Sequence, residues 1–170
     1  MAGAEHRSNE KRICVVGLGN RYRRDDSVGL VVLEMLRSDL GEERVRLLPL
    51  GDDATALLDA LSACGRLIVV DGVMTGARPG HIHVWSWHPE FPALSARFSS
   101  HAISPMDVLR LAVQMGKEVP PATIVGIEVD DVGHGTDISP SVRAALPTAC
   151  ALILDIVRER WRGDKEAGEV

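Results

Sequence analysis

A chain of 170 residues, 45% of them hydrophobic, is long enough to bury one sizeable core and too short to require two domains. Its net charge of −5 lacks the basic footprint of a nucleic-acid reader, so no DNA or RNA partner is expected. No apolar run approaches the roughly 20 residues of a membrane helix, and the polar N-terminus MAGAEHRSNEKR leads into nothing like a signal peptide, so a cytoplasmic protein without membrane insertion is expected.

In chain order, Arg12 to Leu18 is an apolar run and reads as a first strand. Gly17 and Gly19 then turn the chain, and Val28, Val31, Val32, Met35 and Leu36 recur at helical spacing up to a stop at Asp39 to Gly41. Val45 to Leu50 reads as a second strand, Asp53 to Ser62 as a helix, and Arg66 to Asp71 (RLIVVD) as a third strand. HIHVWSW alternates like a half-exposed strand at an edge or running antiparallel. The Pro-rich loop HPEFPALSARFSS leads through His101 into SPMDVLRLAVQM, whose Ser-Pro start and apolar stripe predict a helix. ATIVGIEV is the last strand, and SPSVRAALPTACALILDIVRERW a long helix that Pro147 is placed to kink. Residues 1–11 are expected to be flexible, 12–162 to form a single α/β domain, and 163–170 to be a disordered tail.

Apolar runs alternating with helical periodicity predict a three-layer α/β/α domain around a mostly parallel, partly mixed sheet of about five strands. In such sheets ligands gather outside the carboxyl ends of the strands, and that rule ranks the candidates. Gly17 and Gly19 begin like a dinucleotide loop, but Tyr22 stands where the third glycine belongs and acids follow where an anion should be welcome. A tight turn with no ligand is the simpler reading of the glycines alone. Of Asp25 and Asp26 one is expected to cap the following helix, leaving the other for a different task. Asp71 ends an apolar strand at the crevice, where a carboxylate must be hydrogen-bonded, charge-paired or bound to a metal. The amides of the Gly72 turn are its structural alternative.

His101 lies on a loop, and with two carboxylates from separate loops it makes an O,O,N set suited to a borderline divalent ion such as nickel, zinc or cadmium. His81 and His83 share one face of their strand, as a solvated face or a metal pair. Trp85 and Trp87 share one face too, as packing or as a patch for a protein partner. GHGTDISP, with His134 and Asp137, reads as a structural loop. Cys14, Cys64 and Cys150 are odd in number and lack C-x-x-C spacing, so neither a disulfide framework nor a zinc knuckle is expected. No G-x-S-x-G elbow supports a serine nucleophile.

Together, VVGLGNRYRRDDSVGL, LIVVDGV, RPGHIHVW, SSHAISPMDVL and IVGIEVDDVGHGTDISPSV resemble the hydrogenase maturation proteases, endopeptidases that trim the C-terminal extension from the large subunit of nickel-iron hydrogenases. The resemblance spans Ile13 to Val157. It implies that Asp26, Asp71 and His101 are the metal-contacting and catalytic residues, and that Asp25 caps the helix. Many relatives have Glu where this chain has the shorter Asp26. A D-G-G-T loop linked to substrate selection corresponds here to LPLGDDAT, which keeps Gly51, has Pro49 in place of the acid, and offers Asp52 or Asp53 as substitutes. The implied nickel is carried by the substrate, a large-subunit precursor, with zinc or cadmium as stand-ins in vitro. A non-catalytic nickel-binding chaperone using the same ligands, and a nucleotide-binding α/β enzyme using the glycine loop, are the alternatives.

Overall fold

A computed structural model describes residues 12–40, 45–90, 97–98 and 103–167, so residues 1–11 and the expectation of a flexible N-terminus lie outside it. Among the described residues there are six strands: β1 (Arg12–Leu18), β2 (Val45–Gly51), β3 (Cys64–Met74), β4 (Ile82–Trp87), β5 (Arg97–Phe98) and β6 (Ala122–Glu128). The helices are α1 (Val28–Leu36), α2 (Leu57–Ala60), α3 (Pro105–Gln114) and α4 (Pro140–Ala167). The sheet order is β2-β1-β3-β6-β4, with β5 paired to the far end of β3. β1, β2, β3 and β6 are parallel neighbours, while β4 runs antiparallel to β6 and β5 antiparallel to β3. β1 and β6 are almost wholly buried, as continuous apolar strands covered on both faces must be.

Two cores give the three layers. On one face Val28, Val32, Leu33 and Leu36 of α1 meet Val142, Leu146, Ala149 and Ile153 of α4 over Val15, Val70 and Val125. On the other, Leu57 of α2 and Met106, Leu109 and Ala112 of α3 cover Cys14, Val16, Val69 and Ile124. α3 starts as its sequence asks, with Pro105 in the first turn and Ser104 Oγ accepting from the Asp107 amide at 3.1 Å. The chain leaves β1 for β2 on one side and returns to β3 on the other. The carboxyl ends of β1 and β3 therefore flank the point where the strand order reverses, which is where such sheets open a crevice.

Several expectations change. β3 continues past Asp71 to Met74 because Gly72 and Val73 pair with Ile127 and Glu128, and Val73 and Met74 also pair with Phe98 and Arg97. The expected helix over Asp53 to Ser62 is a series of short turns, Ala54–Ala56, Leu57–Ala60 and Leu61–Ala63, of which only the middle one is α-helical. α4 extends to Ala167, so residues 163–167 of the expected disordered tail are helical. Pro147 sits inside α4 on its exposed side, where water can satisfy the carbonyl that the missing N–H leaves open. By length and composition Pro140–Glu159 would pass as a membrane span, contrary to the reading that no run is long enough. Its Val142, Leu146, Ala149, Ile153 and Val157 are instead buried in this domain's own core.

The cysteine reading is also corrected: Cys14 and Cys64 form a disulfide across adjacent strands, 50 residues apart in sequence. A register slip between Arg12 and Ile13, where β1 meets β3, brings the two together, and no sequence spacing reveals that slip. Cys150 is free and buried, as expected of a small hydrophobe. Trp87 packs in the core beside α3, which settles it as a packing residue.

Candidate active site

The first loop is built by close backbone approach. Gly19 has φ of 129°, and a Cβ there would lie 1.8 Å from the Asp26 carbonyl oxygen, so only glycine allows the strand end to touch the next turn. Gly29 does the same for α1, because a Cβ there would meet the Leu18 and Val70 carbonyl oxygens at 2.3 and 2.4 Å. These two contacts press the turn Arg24–Ser27 onto the ends of β1 and β3, and Asp26 is thereby fully buried at the crevice. The Asn20 amide donates to Asp26 Oδ2 at 3.1 Å. The Asn20 side chain accepts from the Tyr22 amide at 2.9 Å and donates to Asp52 Oδ2 at 3.1 Å. With the Gly19 amide donating to the Gly51 carbonyl at 2.9 Å, the Gly51–Asp52 loop is fastened to the rim of the site. Asp53 faces its own chain, accepting from the Thr55 amide at 2.9 Å as the cap of a short turn.

The two adjacent aspartates divide their work sharply. Asp25 does not cap α1, for no side chain caps that helix or the turn before it. Its Oδ2 accepts from the amides of Asp130 and Asp131, both at 2.9 Å, and its Oδ1 from the Ser139 amide at 2.6 Å. Asp25 is thus the anchor of the loop between β6 and α4. Arg24, paired with Asp131, and Arg23, whose Nε donates to the Val132 carbonyl at 3.2 Å, hold the same loop. The GHGTDISP segment is structural in this respect, as read from the sequence.

Asp71 is fully buried on the sheet face that carries Val69 and Val73, the side covered by α2 and α3. Its Oδ1 accepts from the Gly72 amide at 2.8 Å. Burial pushes its pKa well above the usual carboxylate range, and the negative charge of Asp26 pushes it further the same way. Asp26 and Asp71 therefore confront each other across the crevice as two buried carboxylates. Such a pair repels while both are ionised, and a divalent cation shared between them removes that repulsion. Two carboxylates are oxygen donors able to hold a divalent cation, and a nitrogen donor beside them would favour a borderline ion. Among the described residues no group of three His, Cys, Asp or Glu side chains surrounds a metal position. The expected third donor, His101, lies outside the described residues.

One buried acid escapes the sequence reading. Glu128 is 3% exposed at the carboxyl end of β6. Its Oε1 accepts from the amides of Thr75 at 2.8 Å and Gly76 at 2.9 Å, and its Oε2 from the Thr75 hydroxyl at 2.8 Å. His83 Nε2 lies 3.1 Å from the same Oε2. Burial alone would raise the Glu128 pKa, yet the Thr75, His83 and Gly76 hydrogen bonds together hold it below the usual value. The signal was available: Glu128, like Asp71, is a carboxylate closing an apolar parallel strand. His81 and His83 do share a face, with ring centroids 4.6 Å apart edge to face, and His83 stacks on Trp85 at 5.0 Å.

The family model described as HycI, hydrogenase maturation protease, matches residues 30–156, a span that contains Asp71 and His101 and begins just after Asp26. The chain is 28% identical over 138 residues to Protein FrxA of Pyrococcus furiosus, covering 79% of this chain and 97% of that one. It is 26% identical over 151 residues to the hydrogenase 2 maturation protease of Escherichia coli, covering 87% and 92%. Its fold matches the solved hydrogenase maturating endopeptidase HybD of E. coli with a TM-score of 0.72 at 23% identity, over 88% of this chain and 93% of that one.

Proposed function

The chain belongs to the hydrogenase maturation protease family, and on that footing we propose that it is an endopeptidase removing the C-terminal extension of a nickel-iron hydrogenase large-subunit precursor after nickel insertion. The observation that carries this reading is the burial of Asp26 and Asp71 against each other at the strand-order reversal. Two desolvated carboxylates at one crevice, the charge of one raising the proton affinity of the other, are matched to a cation that arrives with the substrate. With His101 they supply three donors, leaving the metal open to ligands from the precursor; a closed four-ligand protein site would deny it those. Nickel then acts as a checkpoint. It belongs to the substrate, and the extension is cut only when the metal is in place.

Gly51 and Asp52, tied to Asn20 at the rim, border the place where a precursor approaches and are the proposed selectors of the cognate hydrogenase. Asp53 is engaged as a turn cap and is a weaker selector. A dinucleotide has little support, because two buried carboxylates stand at the turn where its phosphates would sit.

Asp26→Ala and His101→Ala should each slow trimming of a nickel-loaded precursor roughly 1000-fold, equal to about 4 kcal/mol of transition-state stabilisation, with unchanged circular dichroism. Trimming at the wild-type rate by either variant would contradict the assignment of that residue. A wild-type protein that binds the loaded precursor and leaves its extension intact would be a nickel chaperone instead.

A further inference from the structure

Glu128 is a buried acid for which the proposed cleavage chemistry has no use. Both its oxygens are engaged, Oε1 by two backbone amides of the β3–β4 connection and Oε2 by the Thr75 hydroxyl and the His83 ring. Four donors match the acceptor capacity of one ionised carboxylate. Its backbone is equally committed: the Glu128 amide donates to the His81 carbonyl at 2.8 Å and its carbonyl accepts from the Gly80 amide at 2.8 Å. Glu128 thus binds three pieces of chain together, the end of β3, the loop after it, and the start of β4.

The end of β3 is where the site is assembled. Asp71 lies on it, and Val73 pairs with Glu128 on one side and with Phe98 of β5 on the other. β5 is the last described segment before His101. The same stretch of β3 therefore holds one candidate ligand, Asp71, and pairs with both β5 and β6. His83, 17% exposed and stacked on Trp85, buttresses the carboxylate from β4. Gly126 leaves room for Trp85, whose ring would lie 2.7 Å from a Cβ at that position.

We infer that Glu128 is a positioning residue: through Thr75, Gly76 and His83 it fixes the extension of β3, and so sets the placement of Asp71 at the crevice. The inference rests on the function proposed above. Supporting groups behind metal ligands typically change affinity or activity by about 10–100-fold when removed. Glu128→Gln keeps the shape but puts an NH2 group where the Thr75 hydroxyl and His83 point. His83→Ala removes one buttress without touching the carboxylate.

The test compares the full-length wild type, Glu128→Gln and His83→Ala at a temperature where circular dichroism shows each to be folded. One readout is kcat and KM on the nickel-loaded precursor; the other is calorimetric titration of each protein with nickel ion alone. The expected result is a fall in kcat of about 10–100-fold for Glu128→Gln with KM within about twofold, weaker nickel binding by about tenfold or more, and a smaller change in the same direction for His83→Ala. A folded Glu128→Gln protein with wild-type kcat and wild-type nickel affinity overturns the inference, as does a lower melting temperature with both quantities unchanged. If the wild type itself fails to cut the precursor, the proposed function falls, whereas the nickel titration still decides the role of Glu128.

Discussion

Asp71→Asn is expected to make the protein more stable at neutral pH while abolishing its activity. Asp71 is fully buried, and its pKa is raised by that burial and by Asp26. A folded-state pKa above the unfolded value means that the folded state holds an extra proton in the window between the two. Stability is greatest below the usual aspartate pKa and falls as pH rises through the raised one. Above that window the folded chain carries the cost of an ionised, desolvated group beside another acid, offset in part by the Gly72 amide. Asparagine is nearly isosteric, keeps an oxygen for the Gly72 amide, and removes the charge. A gain of about 1–3 kcal/mol is expected at pH 7, or roughly 2–4 °C in melting temperature per kcal/mol for a chain of this length. The difference should shrink as pH falls and vanish where both forms of Asp71 are protonated. Trimming should drop roughly 1000-fold in the same variant, since a neutral amide does not neutralise a metal ion. Melting curves from pH 3 to 8 on the metal-free proteins check the first half. A variant less stable than wild type at pH 7 would show that the ionised carboxylate is not the burden described here.

Asp25 predicts the opposite behaviour from Asp71. Its carboxylate satisfies the amides of Asp130, Asp131 and Ser139, and its own amide donates to the Asp131 carbonyl at 3.0 Å. Asp25→Ala strands three donors at once, each costing about 1–3 kcal/mol if left unpaired, though water reaching the loop recovers part. A loss of about 2–5 kcal/mol in urea unfolding at pH 7 is therefore expected. A loss below about 0.5 kcal/mol, the level of an indifferent surface change, would contradict the anchoring role. The two buried aspartates thus differ in kind: removing the carboxylate at 25 loosens the fold, while removing the charge at 71, near Asp26, tightens it.

Much of this was legible in the chain itself because local patterns carried it. The apolar runs ICVVGL and ATIVGIE, the Ser-Pro start of α3 and the helical spacing after Asp26 each name an element without tertiary help. The rule that ligands collect at strand ends pointed to Asp71, and two adjacent acids at a turn announced unequal tasks. What the chain concealed were facts of register and long-range contact. Asp25 was read as a helix cap because its partners lie more than a hundred residues away. The Cys14–Cys64 bond follows from a slip between β1 and β3 that spacing does not encode. The extension of β3 past Gly72 was hidden because glycine signals a turn, and only pairing with β5 and β6 keeps that segment straight. Glu128 is marked in the chain as a carboxylate closing an apolar strand, but what it holds is set by its contacts with Thr75, Gly76 and His83.

The role of nickel as a checkpoint is the centre of this account, and it is tested most directly by the mass of the precursor after incubation with the protein, with and without nickel in the precursor. The nickel-loaded precursor should lose its C-terminal extension, the nickel-free precursor should keep it, and adding nickel-loaded precursor to Asp26→Ala protein should leave it whole. Equal trimming of the loaded and empty precursors by the wild-type protein would contradict the claim that Asp26 and Asp71 await a metal carried by the substrate.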